Sequence, residues 1–172
     1  MNKCKLMGLD TSSTITGWAL FENGKYINSD ILFHDYKKLD PVIRVEDMCI
    51  DIVNTLNKYN PDIVVIERPP YCKDPKTLIM LSEIVGVAKG WSLTKGFCEY
   101  VEYAPNEWRK LVANEGEIIP TKREKCKLWD KQKFIELVGR EPIDDNEADA
   151  FLIGLARINF INNIIKKEKK CG

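Results

Sequence analysis

The chain has 172 residues, enough for one domain with a real hydrophobic core. Its 26 basic residues balance 26 acidic ones, so no gross charge draws it to nucleic acid and any basic surface has to be local. The single histidine, His34, disfavours serine–histidine and cysteine–histidine chemistry and turns attention to carboxylates, while six cysteines without a Cys-x-x-Cys pair disfavour zinc.

Lys5 to Leu9 reads as a short apolar strand that runs into Asp10. A small polar loop, Thr11 to Thr14, follows, and Ile15 to Phe21 comes straight back as a second strand. Asn23-Gly24 then signals a tight hairpin, because both central residues of that turn need positive φ. Lys25 to Phe33 completes a meander, with His34 in a polar turn beyond it.

Asp40-Pro41 is an N-cap followed by a proline at the first helical position. Val45, Cys49, Ile52, Leu56 and Tyr59 recur at helical spacing and form its core stripe, with Cys49 as a small core residue. Asn60-Pro61-Asp62 ends that helix. Ile63 to Ile66 is a continuous β-branched run, the mark of a strand buried on both faces, and it ends at Glu67. Strand, helix, strand in that order suggests a crossover onto a parallel partner.

Arg68-Pro69-Pro70 forbids continuation as strand or helix and leaves Tyr71, Cys72 and Lys73 on an exposed link. Asp74-Pro75 opens another capped helix, with Leu78, Leu81, Val85 and Ala88 on its apolar face. Gly86 and Gly90 weaken it and suggest close packing on the sheet. Glu99 to Tyr103 reads as a fifth strand, and Pro105 starts a short helix. Thr121-Lys-Arg-Glu124 has the form of a capping box opening a helix to Val138, with Gly139 placed to end it. Asp144-Asp145-Asn146-Glu147 precedes a last amphipathic helix through Ile165. A basic tail at about 166–172 is expected to be frayed and solvated. The whole reads as one domain, 1–172. No apolar run reads as long enough to span a membrane, and the first five residues do not lead into a signal-peptide core. A cytoplasmic protein with free thiols is therefore expected.

Three acids fall where these elements place them together: Asp10 and Glu67 at strand ends, and Asp149 one turn into the last helix. In open α/β sheets ligands collect beyond the carboxyl ends of the strands. Carboxylates converging there repel one another unless cations neutralise them. Magnesium is the natural candidate, and two ions about 3.5–4 Å apart would suit an in-line phosphoryl displacement. Manganese is expected to substitute. Each acid also has a plain structural reading: Asp10 can bond the Ser12 or Ser13 amides, Glu67 can form a strand-end ion pair, and Asp144 or Asp145 can be an ordinary N-cap. Asp145 and Asn146, four and three residues before Asp149, can each share its helix face, whereas Glu147 should point elsewhere.

The motifs now resemble a known family. Gly8-Leu-Asp-Thr-Ser-Ser-Thr-Ile-Thr-Gly-Trp-Ala resembles the first motif of RuvC-type Holliday junction resolvases. Val64-Val-Ile-Glu67 is similar to their second acidic strand, Tyr103-Ala-Pro with Arg109 to their basic short helix, and Asn146-Glu-Ala-Asp149-Ala-Phe-Leu-Ile-Gly-Leu-Ala to their closing helix. The resemblance spans residue 4 to about 160, and in length it is closer to the small phage-type members. It implies an α/β, ribonuclease-H-like fold with a mixed five-stranded sheet flanked by helices. It also implies a homodimer and magnesium-dependent nicking of two symmetric strands in a four-way junction, in the cytoplasm of a bacterium or phage-infected host. Three-way or flap DNA remains open as an alternative substrate.

Asp10, Glu67 and Asp149 match the family's first, second and last acids. The family usually has Asp or His three residues before the last acid, where this chain has Asn146. Asp145 is the charged alternative for that fourth ligand, so both stay open. For DNA, Lys122, Arg123 and Lys125, with Lys127, Lys131 and Lys133, cluster on one helix and can track phosphates beside the metals. Arg109 and Lys73 join them. Tyr71, just past Glu67, can project over the site and stack on an opened base. Two other classes share parts of the pattern: a sugar-kinase or actin-like ATP-binding lobe, which needs a second lobe that this length cannot supply, and a non-catalytic module that keeps the fold without the chemistry.

Overall fold

The computed structural model describes residues 4–33, 40–69 and 74–171, with side chains as far as Lys169. His34, Tyr71, Cys72 and Lys73 lie outside the described residues, so the stacking and phosphate roles expected of Tyr71 and Lys73 have no placement here.

Five strands form one sheet: β1 (Lys5–Asp10), β2 (Ile15–Glu22), β3 (Lys25–Phe33), β4 (Ile63–Glu67) and β5 (Glu99–Tyr103). Their spatial order is β3-β2-β1-β4-β5. The first three are an antiparallel meander, and β4 and β5 add in parallel beside β1. The hairpin turn is as the Asn-Gly pair predicts, with φ of 52° at Asn23 and 76° at Gly24.

The helices are α1 (Pro41–Tyr59), α2 (Pro75–Thr94), α3 (Pro105–Val112), α4 (Arg123–Val138) and α5 (Asp145–Cys171). Asp40 and Asp74 cap α1 and α2 as expected, accepting from Val42 N and from Lys76 N and Thr77 N. Gly139 ends α4 in the left-handed conformation. The Thr121 capping box does not form. Lys122 occupies the cap position without a side-chain bond, so α4 begins later than the motif suggests.

The strands' period of two sorts the core into two layers. Met7, Leu9, Val64 and Ile66 face α1 and α2, where Val45, Met48, Ile52, Leu56, Ile84, Val85 and Ala88 complete one cluster. Leu6, Ala19, Phe21, Ile63 and Val65 face the other way, onto α3, α4 and α5. Asp10 and Gly8 continue the register of Leu6, and Glu67 continues that of Ile63 and Val65. Both acids therefore belong to the α5 side of the sheet.

The glycines that bring a helix onto the sheet are not Gly86 and Gly90, around which a Cβ would meet nothing. They are Gly8 and Gly17 on the strands and Gly154 on α5: a Cβ at Gly8 would overlap the Ala150 carbonyl, and one at Gly17 the Asn146 carbonyl. The helix backbone thus rests directly on the sheet.

By length and composition the window Asp145–Lys169 of α5 is apolar enough to cross a membrane, contrary to the sequence expectation. Its apolar residues have another destination. Ala148, Ala150, Phe151, Leu152, Ile153, Ala156 and Ile158 are buried against the sheet and α3. The basic tail continues α5 as exposed helix rather than fraying. Cys4, Cys49, Cys98 and Cys126 are free thiols.

Candidate active site

β1 and β4 are parallel neighbours, with Leu9 opposite Ile66, so Asp10 and Glu67 leave the sheet side by side at its carboxyl edge. α5 packs on β1, β2 and β4, and its second turn carries Asp149, on which the charges of both acids act. The consequence is crowding of like charge. Burial, then the Glu67 charge, pushes the Asp10 carboxyl up to about 8. Asp149 is raised well above the usual carboxylate range by burial and by Asp10, Asp130 and Glu67. Glu67 is raised by burial, against the pull of a Trp108 hydrogen bond and of Arg109.

The plain turn role for Asp10 is not taken. The Ser12 hydroxyl closes the loop itself, accepting from the Thr14 and Ile15 amides at 3.2 and 3.0 Å and donating to the Ile15 carbonyl at 2.7 Å. Among the described residues the Asp10 carboxyl has no hydrogen-bond partner. Glu67 does not form the strand-end ion pair with its neighbour Arg68, which lies 3.7 Å from Glu102 instead. Its Oε2 accepts from the buried Trp108 indole at 2.7 Å.

The donor set is all oxygen and anionic, which fits a hard divalent cation. It is not a closed cage: among the described residues no three Asp, Glu, Cys or His side chains stand in an arrangement that would hold a metal ion.

The start of α5 distributes its polar residues in four directions. Asp144 caps the helix, accepting from Glu147 N at 3.0 Å, and its charge also reaches Asp10. Asp145 pairs with Lys127 at 2.6 Å, toward α4. Asn146 donates from Nδ2 to Asp144 at 2.7 Å. Glu147 does point elsewhere: fully buried, it accepts from Ser29 Oγ at 2.6 Å and pairs with Arg140 at 2.5 Å. These bonds hold its carboxyl below the usual range against the cost of burial.

The expected basic track divides. Lys122, Arg123 and Lys125 are exposed at the N-terminal end of α4. Lys131 pairs with Glu141 and Lys133 with Glu117, both at 2.7 Å, and Lys133 is buried, so these two are committed to carboxylates of the same chain. Arg109 is no open phosphate contact. Its side chain is 13% exposed and it binds Asp130 through Nη2 at 2.7 Å. Lys127, expected on the basic track, bears on Asp10 and Asp149. Residues near the acids that the motifs did not mark are Trp108 and Asp130; the sequence signal for Asp130 is its spacing, three residues from Lys127 on one helix, so that the two share a face.

Comparison with known proteins agrees with this geometry. The sequence model of the family described as "Crossover junction endodeoxyribonuclease RuvC" matches residues 6–155. A crossover junction endodeoxyribonuclease RuvC of Halothermothrix orenii is 31% identical over 160 residues, covering 90% of this chain and 92% of the relative. That of Wigglesworthia glossinidia brevipalpis is 25% identical over 167 residues, covering 92% and 95%. Among solved structures, T. thermophilus RuvC in complex with a Holliday junction substrate superposes with a TM-score of 0.69 at 13% identity, over 92% of this chain and 95% of that one. The yeast mitochondrial Holliday junction resolvase Ydc2 gives 0.62 at 15% identity, over 98% and 83%.

Proposed function

The chain belongs to the RuvC family of crossover junction endodeoxyribonucleases, and from that premise we propose that it resolves four-way DNA junctions by paired, magnesium-dependent nicks at the site of Asp10, Glu67 and Asp149. The family is one of metal-dependent nucleases, hydrolases of phosphodiester bonds that act on branched DNA. The particular ion, its number and the ligands are our reading.

The observation that supports it is the meeting of three acids at the ends of two adjacent parallel strands and the start of one helix, with like charge that a divalent cation would neutralise. Asp10, Glu67 and Asp149 would hold two magnesium ions, with Asp145 or Asn146 as a fourth ligand and manganese as a substitute. When bound, the ions supply the positive charge that an in-line displacement at phosphorus requires. Asp10, at the strand end, would hold an ion at a fixed place relative to the sheet. The Trp108 indole orients Glu67 by donating to its Oε2. Lys127, whose charge bears on both Asp10 and Asp149, offsets negative charge on the phosphate as it approaches. Lys122, Arg123 and Lys125 meet the backbone of the flanking arm.

Paired nicks on two symmetric strands call for two sites, and we read the protein as a homodimer. The outer face of α1 and α2 supports this. Val42 and Ile50 are exposed there in a groove of about 590 Å³ that Glu46 and Glu83 also line, and Ile43 and Ile79 are exposed on the same two helices. A DNA-acting protein of this family is placed in the cytoplasm.

The test is incubation with magnesium and end-labelled synthetic four-way, three-way and flap DNA. Symmetric nicks in the four-way substrate are expected. Binding without cutting in either magnesium or manganese would overturn the reading.

A further inference from the structure

Asp130 belongs to none of the acidic motifs. It sits on α4, yet its side chain is only 1% exposed. Arg109 grips it from one side, with Nε at 2.9 Å from Oδ1 and Nη2 at 2.7 Å from Oδ2. The same guanidinium places Nη1 at 3.4 Å from the Pro105 carbonyl and its centre 4.2 Å from the centroid of the Trp108 ring. Trp108 donates to Glu67 at 2.7 Å. The Asp130 charge also bears on Asp149, raising its carboxyl. A continuous set of interactions therefore runs from Asp149 through Asp130, Arg109 and Trp108 to Glu67, joining two of the three candidate ligands.

A buried ion pair is a poor way to hold two helices together, because desolvation cancels much of its attraction and an apolar pair of the same volume serves as well. Its place here gives it a different use. Arg109 stands beside Glu67 and Asp149, and an uncommitted guanidinium in that position would bind them bidentately, as arginine binds carboxylates in general. It would then compete with any divalent cation for the same oxygens. Asp130 takes up the guanidinium fork instead.

We propose that Asp130 is a positioning residue of the nuclease site: by committing Arg109 to itself it keeps Glu67 and Asp149 available to the metal ions. The inference rests on the reading of those acids as metal ligands given above. It assigns opposite signs to the two members of the pair. Removing the charge of Asp130 turns Arg109 on the ligands and weakens the metal. Removing Arg109 leaves an extra buried carboxylate beside Asp149 and strengthens it.

The experiment measures manganese affinity of the DNA-free protein by titration calorimetry, together with the magnesium concentration for half-maximal cleavage. It compares wild type, Asp130→Asn, Arg109→Gln and the double variant, with a thermal melt of each. For Asp130→Asn we expect affinity to fall about 10–100-fold, the range found when outer partners of metal ligands are altered, and the magnesium requirement to rise in step. Arg109→Gln should bind manganese at least as tightly as wild type, and the double variant should recover most of the deficit. A merely structural pair would move both single variants in the same direction, and the double variant would be the worst; that result overturns the proposal, as does wild-type affinity in Asp130→Asn. If Asp130→Asn does not fold, Arg109→Gln decides alone, since weaker manganese binding there contradicts the assigned sign. A wild-type protein that binds no manganese and cuts nothing would instead remove the reading of the site itself.

Discussion

Asp10 lies directly across the β1–β2 ladder from Gly17, and Gly17 is the point where the Asn146 carbonyl of α5 touches the sheet. The first acid and the seat of the helix that carries the last acid are thus one pair of the same ladder. A methyl group at Gly17 would lift the start of α5 and move Asp149 away from Asp10. Gly17→Ala is expected to cost about 1–3 kcal/mol from overpacking and to abolish cleavage even where the protein stays folded. A thermal melt beside a cleavage assay checks both, and a variant that melts lower but cuts at the wild-type rate would separate the helix seat from the chemistry.

Neutralising the acids should have opposite effects on catalysis and on stability. Asp10→Asn, Glu67→Gln and Asp149→Asn keep shape and remove charge, so each is expected to stop cleavage while junction binding survives. Asp10→Asn and Asp149→Asn should also melt higher than wild type without metal, because each removes a member of a repelling group. Near-wild-type cutting by any of the three shows that residue to be no ligand.

The same repulsion sets a pH dependence. A carboxyl raised in the folded state binds more protons there than in the unfolded chain, so its contribution to stability is present below the unfolded value and lost as pH rises through the folded one. For Asp10 that window runs from its ordinary 3.8 to about 8. The metal-free protein should therefore lose stability as pH rises across it, and added magnesium should restore most at the alkaline end. Melting curves at stepped pH, with and without magnesium, test this, and Asp10→Asn should flatten the slope.

Along α4, lysines should divide by their partners. Alanine at Lys122, Arg123 or Lys125 is expected to lower the log–log salt slope of junction binding by about one for each phosphate no longer neutralised. Alanine at Lys131, tied to Glu141, should leave the slope alone. Equal effects at all four positions would mean a diffuse field rather than a track.

Around Asp149, the fourth ligand separates by magnesium dependence. Asp145→Asn is expected to reduce cleavage strongly, both by removing charge and by releasing Lys127, and Asn146→Ala only mildly. Asn146→Asp should preserve activity at low magnesium. A dead Asn146→Ala beside an active Asp145→Asn would assign the amide as the ligand.

The strands were legible in the sequence because their signals are local. Asn23-Gly24 fixes its turn by φ, and the run Ile63 to Ile66 needs apolar cover on both faces. Asp10 and Glu67 stood out because each ends such a strand, and Asp149 because it lies one turn into the last helix. Lys133 and Arg109 were misread as exposed basic residues, since nothing in a lysine's neighbours shows that Glu117 will arrive from a loop or Asp130 from the next helix. Gly86 and Gly90 misled for the same reason: a glycine in a helix signals close approach only when something is there to approach. Asp130 had no motif at all, because its meaning lies in its bonds to Arg109 of α3 and in its charge acting on Asp149 of α5.

The seating of α5 on Gly8 and Gly17 bears on when the protein becomes dangerous to DNA. The hairpin that carries Asp10 closes between neighbours in sequence, and β4 can join it soon after. Asp149 arrives on the last helix, after every strand has been made. Since chains emerge from the ribosome N-terminus first, a nascent copy holds a partly built sheet well before it holds a complete set of acids. On our reading of the site, the three acids then come together only once α5 has been made, and a chain interrupted before α5 would carry Asp10 and Glu67 without Asp149.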